Sequence, residues 1–445
     1  MNIYQINQLL EDLFPLSRSI TGKGLRNSFK ILSDYVPFAL KEVPSNYTIG
    51  DWTVPSEWSV NQAYIKDSNQ KKILDYNNSN LHIINYSQSF KEKLNLEELK
   101  NYLYTNPKLP KAIPYVTSYY EKIAGFCMDH EAYDSLNDDE YEVLIDSEHF
   151  LGSMTIGECV IEGEKKEEVL ISSYLCHPSM GNNELSGPIV LAYLYDALKN
   201  QKNKYTYRFV IFPETIGAIT YNSYSFNKLK DNINYGLVLT CLGGPENRLS
   251  YKQSRLGNTN FDNFVKKSNK IVTRKFTPIN GSNERHFCYP TVDFPVGQFA
   301  RTIYQQYPEY HTSLDNKEFV NTKQLLKSGK EIYKILKDYE KNDYRKEKNL
   351  IEERRIINKN KELFSIATSQ FGEPFLSKYD LYPKQNFDGA IGNSDRNETN
   401  DILQILSLSD GFTNLDFIEN NLNIENKYFY SLLDKLESNG LIKIK

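Results

Sequence analysis

Apolar positions recur at helical spacing at the start of the chain, where Ile3, Ile6, Leu9, Leu10 and Leu13 fall on one face and predict a helix. The turn-rich stretch PLSRSITGKG follows, then a second helix from about Leu25 to Tyr35. Residues 40–125 change character: DWTVPSEWSV, AYIKD, KILDY and NLHIINYS are short alternating runs broken by turn residues, the pattern of strands. From about 140 the pattern becomes α/β. EEVLISSYL (167–175), YRFVIFP (207–213), YGLVLTCL (235–242) and FPVGQFA (294–300) read as buried strands. Helical stretches separate them, among them LSGPIVLAYLYDALKN (185–200), with Pro188 in its first turn where the missing N–H costs nothing. Strands alternating with helices predict a mostly parallel sheet flanked by helices. Residues 336–362 are charge-dense and read as a connector, and 399–445 read as three short helices and a strand, the winged-helix pattern. The expected organisation is a main α/β unit from 1–40 and 126–350, an inserted β-rich unit at 41–125, and a connector with a winged helix at 351–445.

Composition bounds the function without choosing it. The chain has 445 residues, 40% hydrophobic and 25% charged, enough for several real cores. A net charge of −4 argues against a chain built to coat nucleic acid. Residues 401–445 carry seven acids against four lysines, the reverse of a basic DNA-reading face, so that unit is expected to bind a protein partner or a second copy of the chain. No apolar run approaches the roughly 18 residues that a membrane span needs, and the N-terminus lacks a secretory pattern. Five scattered cysteines form no CxxC pair, so the expected compartment is the reducing cytoplasm.

Candidate chemistry sits at strand ends. His177 follows the run EEVLISSYLC, and carboxyl ends of strands in open α/β sheets are where ligands bind. Asn182, Asn183 and Glu184 precede the next helix, Glu214 ends the strand 207–213, and His311 lies in the polar loop PEYHTSLDN. Singly, such residues are more often structural. Together they offer imidazole and carboxylate, the ligands zinc takes, with a further glutamate as a general base.

Here the chain resembles the zinc aminopeptidase family, whose members bind two zinc ions on an α/β sheet. His177 stands at the histidine of the family's His-x-Asp motif, Asn183 where its metal-bridging Asp would be, Phe212-Pro213-Glu214 at the lead-in to its Glu-Glu pair, and Tyr310-His311-Thr312 at its late Tyr-His-Thr. More closely, the chain is similar to a bacterial family of aminopeptidase-like proteins often associated with surface-polysaccharide gene clusters. The shared stretches are LFPLSRSITGKG, VPSEW, NLHIINYS, IPYVTSYY, GFC, CHPSMGNNELSG, PETIG, YPEYHTSLD and GEPFLSKYDLYP. The resemblance implies a zinc-exopeptidase fold with a small β-rich insertion and a C-terminal winged helix. Departures alter the expected site: Ser179 replaces the Asp of His-x-Asp, Thr215 the second Glu, and Thr240 the late Asp. The expectation is therefore one zinc ion held by His177, Glu184 and His311, with Asn183 as alternative, and Glu214 as general base. The resemblance also marks Glu284 as a substrate-amine anchor, with His286 beside it as an alternative ligand; Tyr310, Arg285 and Arg301 are candidate hydrogen-bond donors to the oxyanion of the substrate. The expected function is hydrolysis of a peptide or amide substrate. The alternatives are an amidase or deacetylase on a modified sugar, a catalytically degenerate binder, and a DNA-binding regulator.

Overall fold

The computed structural model describes residues 1–279, 281–342, 363–383 and 397–445. Its centre is an eight-stranded sheet in the order Ala39–Pro44, Ser153–Ile161, Tyr205–Phe212, Lys165–Tyr174, Ile233–Leu239, Val296–Ala300, Ser250–Lys252, Val272–Arg274. The four strands from Tyr205–Phe212 to Val296–Ala300 are mutually parallel, and antiparallel strands flank them on both sides. Four adjacent parallel strands leave four carboxyl ends side by side, and this is what builds the site.

Period-two alternation sorts the strands onto two faces. Val169, Ile171, Phe209, Ile211, Leu237 and Leu239 pack on one face beneath the helices Ile3–Leu13, Ser186–Leu198 and Thr322–Glu340. Leu170, Val210, Phe212 and Val238 point to the other face, where Ile216, Ala218 and Ile219 of the helix Ile216–Asn232 cover them. On the first face, Gly329 lets Thr322–Glu340 approach closely, since a Cβ there would lie 2.4 Å from the Tyr193 ring.

The inserted unit is a four-stranded antiparallel sheet in the order Lys72–Asp75, Glu57–Lys66, Tyr141–Phe150, Phe90–Leu94. Its strand Tyr141–Phe150 lies past the boundary at 125 expected from sequence: alternating Tyr141, Val143 and Ile145 are buried against Ile65 and Ala63 rather than in the main sheet. The core of this unit runs continuously into the second face of the main sheet.

In the C-terminal unit, helices Glu398–Leu408, Leu415–Leu422 and Asn426–Ser438 pack on a three-stranded antiparallel sheet, Asp410–Asn414, Phe364–Ala367 and Ile442–Ile444. The expected connector at 336–362 begins inside the helix Thr322–Glu340, and from 343 it lies outside the described residues. Arg255 of the main unit ties the two together, donating to Asp293 at 2.7 Å and to Asp410 at 2.9 Å. Among the described residues no helix is long and apolar enough to cross a membrane.

Candidate active site

Each of the four parallel strands delivers a turn to one place. His177 follows Lys165–Tyr174, Glu214 follows Tyr205–Phe212, Thr240 and Cys241 follow Ile233–Leu239, and the loop carrying His311 follows Val296–Ala300. Non-glycine residues at left-handed φ cluster in these turns: Ser179 at 44°, Thr215 at 63°, Cys241 at 52° and His311 at 54°. A β-branched residue there is strained, by roughly 1–3 kcal/mol, and persists only where its surroundings over-determine it. Thr215 is so held, its N–H donating to Asn283 Oδ1 at 2.9 Å.

His177 is buried, and its Nδ1 meets Glu184 Oε2 at 2.7 Å. The other oxygen of Glu184 accepts the Cys176 N–H and lies 3.9 Å from Arg18 Nε. Arg18 and Glu184 are both fully buried; Arg18 also donates to the carbonyl oxygens of His177, at 3.0 Å, and Leu13. The Glu184 carboxylate, expected from the sequence as a metal ligand, thus lies between the His177 imidazole and the Arg18 guanidinium. Ser179 itself turns away and donates to Phe14 O at 3.2 Å. Burial alone would depress the His177 imidazole; the Cys176 sulfur and the Glu184 carboxylate outweigh it and hold His177 well above its ordinary value. Burial pushes the Cys176 thiol up to about 11.

With Nδ1 committed, Nε2 of His177 faces Glu214, whose Oε2 is 3.9 Å away. Glu214 accepts from Ser282 Oγ at 2.6 Å, and burial raises its carboxyl above the ordinary value against the opposing pull of His177 and Ser282. The His311 ring lies 5.3 Å from that of His177, between Tyr310, stacked at 3.9 Å, and Tyr115, edge-on at 5.3 Å. Burial holds His311 well below the ordinary imidazole value, and neither ring nitrogen has a partner among the described residues. The inserted unit fixes this loop: Tyr115 N donates to His311 O at 2.9 Å, and Ser313 N to Ile113 O at 2.9 Å.

These groups line a cavity of about 710 Å³. Its walls come from all three units: Cys176, His177, Glu214, Arg285, Tyr310 and His311 from the main unit, Trp52, Tyr115, Tyr119 and Tyr120 from the inserted segment, and Glu373, Phe375 and Tyr382 from the C-terminal region. The remaining expected residues fall elsewhere. Glu284, expected as an amine anchor, is fully buried off the cavity wall, with its carboxylate 2.5 Å from Lys252 Nζ and 2.8 Å from Gln298 Nε2. Arg301 is spent on Ser328, Glu331 and the Asn247 carbonyl. His286 is buried outside the cavity wall. Asn183 Oδ1 accepts from Tyr174 OH at 3.0 Å, and its N–H donates to Asp315. Asp315, unmarked in the sequence reading, is the keystone of this turn. Its carboxylate accepts from the N–H groups of Asn182, at 2.6 Å, and Asn183, at 2.9 Å, and from Tyr307 OH at 2.9 Å.

Asn183, Thr215 and Thr240 offer no carboxylate, while His177, Glu214 and His311, whose ring nitrogens lack partners among the described residues, line one cavity. Among the described residues, Cys176, His177 and Glu184 offer ligand atoms within 4.8 Å of one another. An ion on that side of the imidazole would face the Arg18 guanidinium and compete for the 2.7 Å bond.

The family model described as "Domain of unknown function (DUF4910)" matches residues 7–342. A Clostridium acetobutylicum protein named provisionally as a polysaccharide biosynthesis protein with an aminopeptidase-like domain is 41% identical over 343 residues, 76% of this chain and 78% of that one. A crystal structure from the same species, named provisionally as a peptidase, is 35% identical, covers 100% of this chain and 96% of its own, and has a TM-score of 0.73. The zinc aminopeptidase BSAP from Bacillus subtilis has the same fold at 14% identity, with a TM-score of 0.54 over 77% of this chain and 94% of its own. The parallel strands, the histidines and glutamate at their carboxyl ends and these likenesses agree: the chain belongs to the DUF4910 family and has the zinc-aminopeptidase fold.

Proposed function

We propose that the protein is a metal-dependent hydrolase of amide bonds, of the aminopeptidase type, with Glu214 as general base and His177 and His311 as imidazole ligands of one zinc ion. The observation that carries this reading is the convergence of His177 Nε2, a buried His311 whose ring nitrogens lack partners among the described residues, and Glu214 on one cavity. When bound, the ion supplies Lewis-acid chemistry. Glu214 takes the proton of the attacking water and returns it to the departing amine, and Ser282 fixes the rotamer that reaches both. Glu184 accepts from His177 Nδ1, so that once His177 is neutral the remaining proton stays on Nδ1 and Nε2 could ligate the ion. Tyr310 is on hand at the cavity wall as a donor to the polarised carbonyl.

The test is Glu214→Gln. It is expected to keep about one zinc per chain and to lose turnover on amides by a factor of about 100 or more. Sustained turnover in that variant overturns the base assignment, and zinc retained after His177→Ala overturns the ligand set.

A second reading is favoured by one feature, the aromatic wall of Trp52, Tyr115, Tyr119 and Tyr120, a surface suited to the apolar face of a sugar ring. On that reading the amide is the N-acyl group of a sugar, in keeping with the polysaccharide name of the Clostridium relative. Screening amino-acid amides beside N-acyl sugars separates the two. The same proposal keeps the protein in the cytoplasm and gives the C-terminal unit, with its acidic surplus, a protein partner or a second copy rather than nucleic acid.

A further inference from the structure

The stretch GEPFLSKYDLYP lies beyond the matched span 7–342 and has no part in the chemistry above. Its first two residues, Gly372 and Glu373, end a strap, residues 369–373, that side chains of the other units pin by its backbone. Thr291 Oγ1 donates to Ser369 O at 2.6 Å, Asn222 Nδ2 to Phe371 O at 2.9 Å, and Trp52 Nε1 to Glu373 O at 2.8 Å. Gly372 lets the strap lie close, at φ 144°, where a Cβ would approach Ile219 to 3.0 Å. Phe375 then packs against Trp52 and Tyr120, each at 4.7 Å between ring centroids.

This anchoring aims one side chain at the cavity. The Glu373 carboxylate, 7% exposed, lines it beside Arg285 and on the same wall system as Glu214. Among the described residues the ionic partner of its carboxylate is Arg285, whose Nε lies 3.3 Å away. A carboxylate accepts up to about four hydrogen bonds, and this one, opening onto the cavity with one ionic contact, has room for further donors. Arg285 holds it in place without filling its remaining lone pairs. A primary ammonium group brings three donors and a positive charge to the same spot.

We propose that Glu373 is a specificity-determining residue that binds a primary ammonium group of the substrate, so that the C-terminal region, and not Glu284, reads the amine. The inference rests on the hydrolase reading only in taking this cavity as the substrate's.

The experiment is isothermal titration of the full chain with leucinamide, glucosamine and hexylamine, each beside its amine-free counterpart: 4-methylpentanamide, glucose and hexan-1-ol. At least one amine is expected to bind about tenfold or more tightly than its counterpart. Glu373→Gln is expected to collapse that ratio to about one with zinc content unchanged, and Glu373→Asp, which keeps the charge, to retain part of it. A preference that survives Glu373→Gln, or the absence of any amine preference in all three pairs, overturns the proposal. Failure of the hydrolase reading shows separately, as amide turnover that survives Glu214→Gln.

Discussion

Replacing Glu184 with glutamine separates two roles for one buried carboxylate. If Glu184 orients His177 and neutralises Arg18, the variant keeps an oxygen for Nδ1–H but loses the charge facing a guanidinium that has no exposure. At 3.9 Å, an effective dielectric of about 20 makes that attraction about 4 kcal/mol. Breaking one side of a buried pair independently suggests about 3–5 kcal/mol. Arg18 cannot shed the difference readily: burial lowers it only to about 10, so it stays charged at neutral pH. Taking about 2 °C per kcal/mol for a large unit, thermal unfolding of Glu184→Gln should come about 8 °C early. Zinc affinity should weaken about 10- to 100-fold, the effect of disturbing a residue behind a ligand, while a stoichiometry of one ion survives at saturating metal. The assays are differential scanning calorimetry and metal titration on the same preparation. A midpoint within about 1 °C of the parent, or loss of all metal binding with the fold intact, would refute the orienting role.

Glu284→Gln strands Lys252 in the same way, and is expected to lower stability by about 3–5 kcal/mol while leaving ligand affinity in the cavity unchanged, checked by unfolding and titration together. Burial lifts the Asp315 carboxyl to about 6. Against an ordinary value of about 3.9, this contributes about 3 kcal/mol of stability that is fully present below pH ~4 and is lost as pH rises through about 6. Asp315→Asn should flatten that part of the stability–pH curve; an unchanged slope contradicts the assignment. Ser282→Ala removes the donor that favours ionised Glu214, so the acid limb of the pH–activity profile should move to higher pH. Arg255→Ala should loosen the C-terminal unit from the main unit, visible as a separate, earlier unfolding transition or faster proteolysis, because it leaves Asp293 and Asp410 without their shared cation.

The residues at strand ends were readable because a strand's end is a local event. An apolar run stops, and His177 or Glu214 is the first polar side chain beyond it. The surroundings of Glu184 and Glu284 are not legible in the sequence, because their partners come from far along the chain. Arg18 and Lys252 carry no local mark of the carboxylates they meet. Alternation in Tyr141–Phe150 marks a strand but cannot say which sheet it joins; that depends on the Glu57–Lys66 edge it meets. The strand Asp410–Asn414 (DGFTN) escaped altogether, since it has no apolar alternation and exists only by pairing with Phe364–Ala367. Asp315 was invisible for the same reason, its importance lying in amides that only the folded turn presents.

If the proposed roles hold, the pinned strap at residues 369–373 separates making the reaction from choosing what reacts. The proposed base and ligands, Glu214, His177 and His311, all fall within 7–342, while the wall bearing Glu373, Phe375 and Tyr382 comes from outside that span. A chimera carrying another relative's C-terminal region on this main unit should therefore keep its chemistry and change its clientele. A lineage could try new substrates at that wall without disturbing the residues that break the bond.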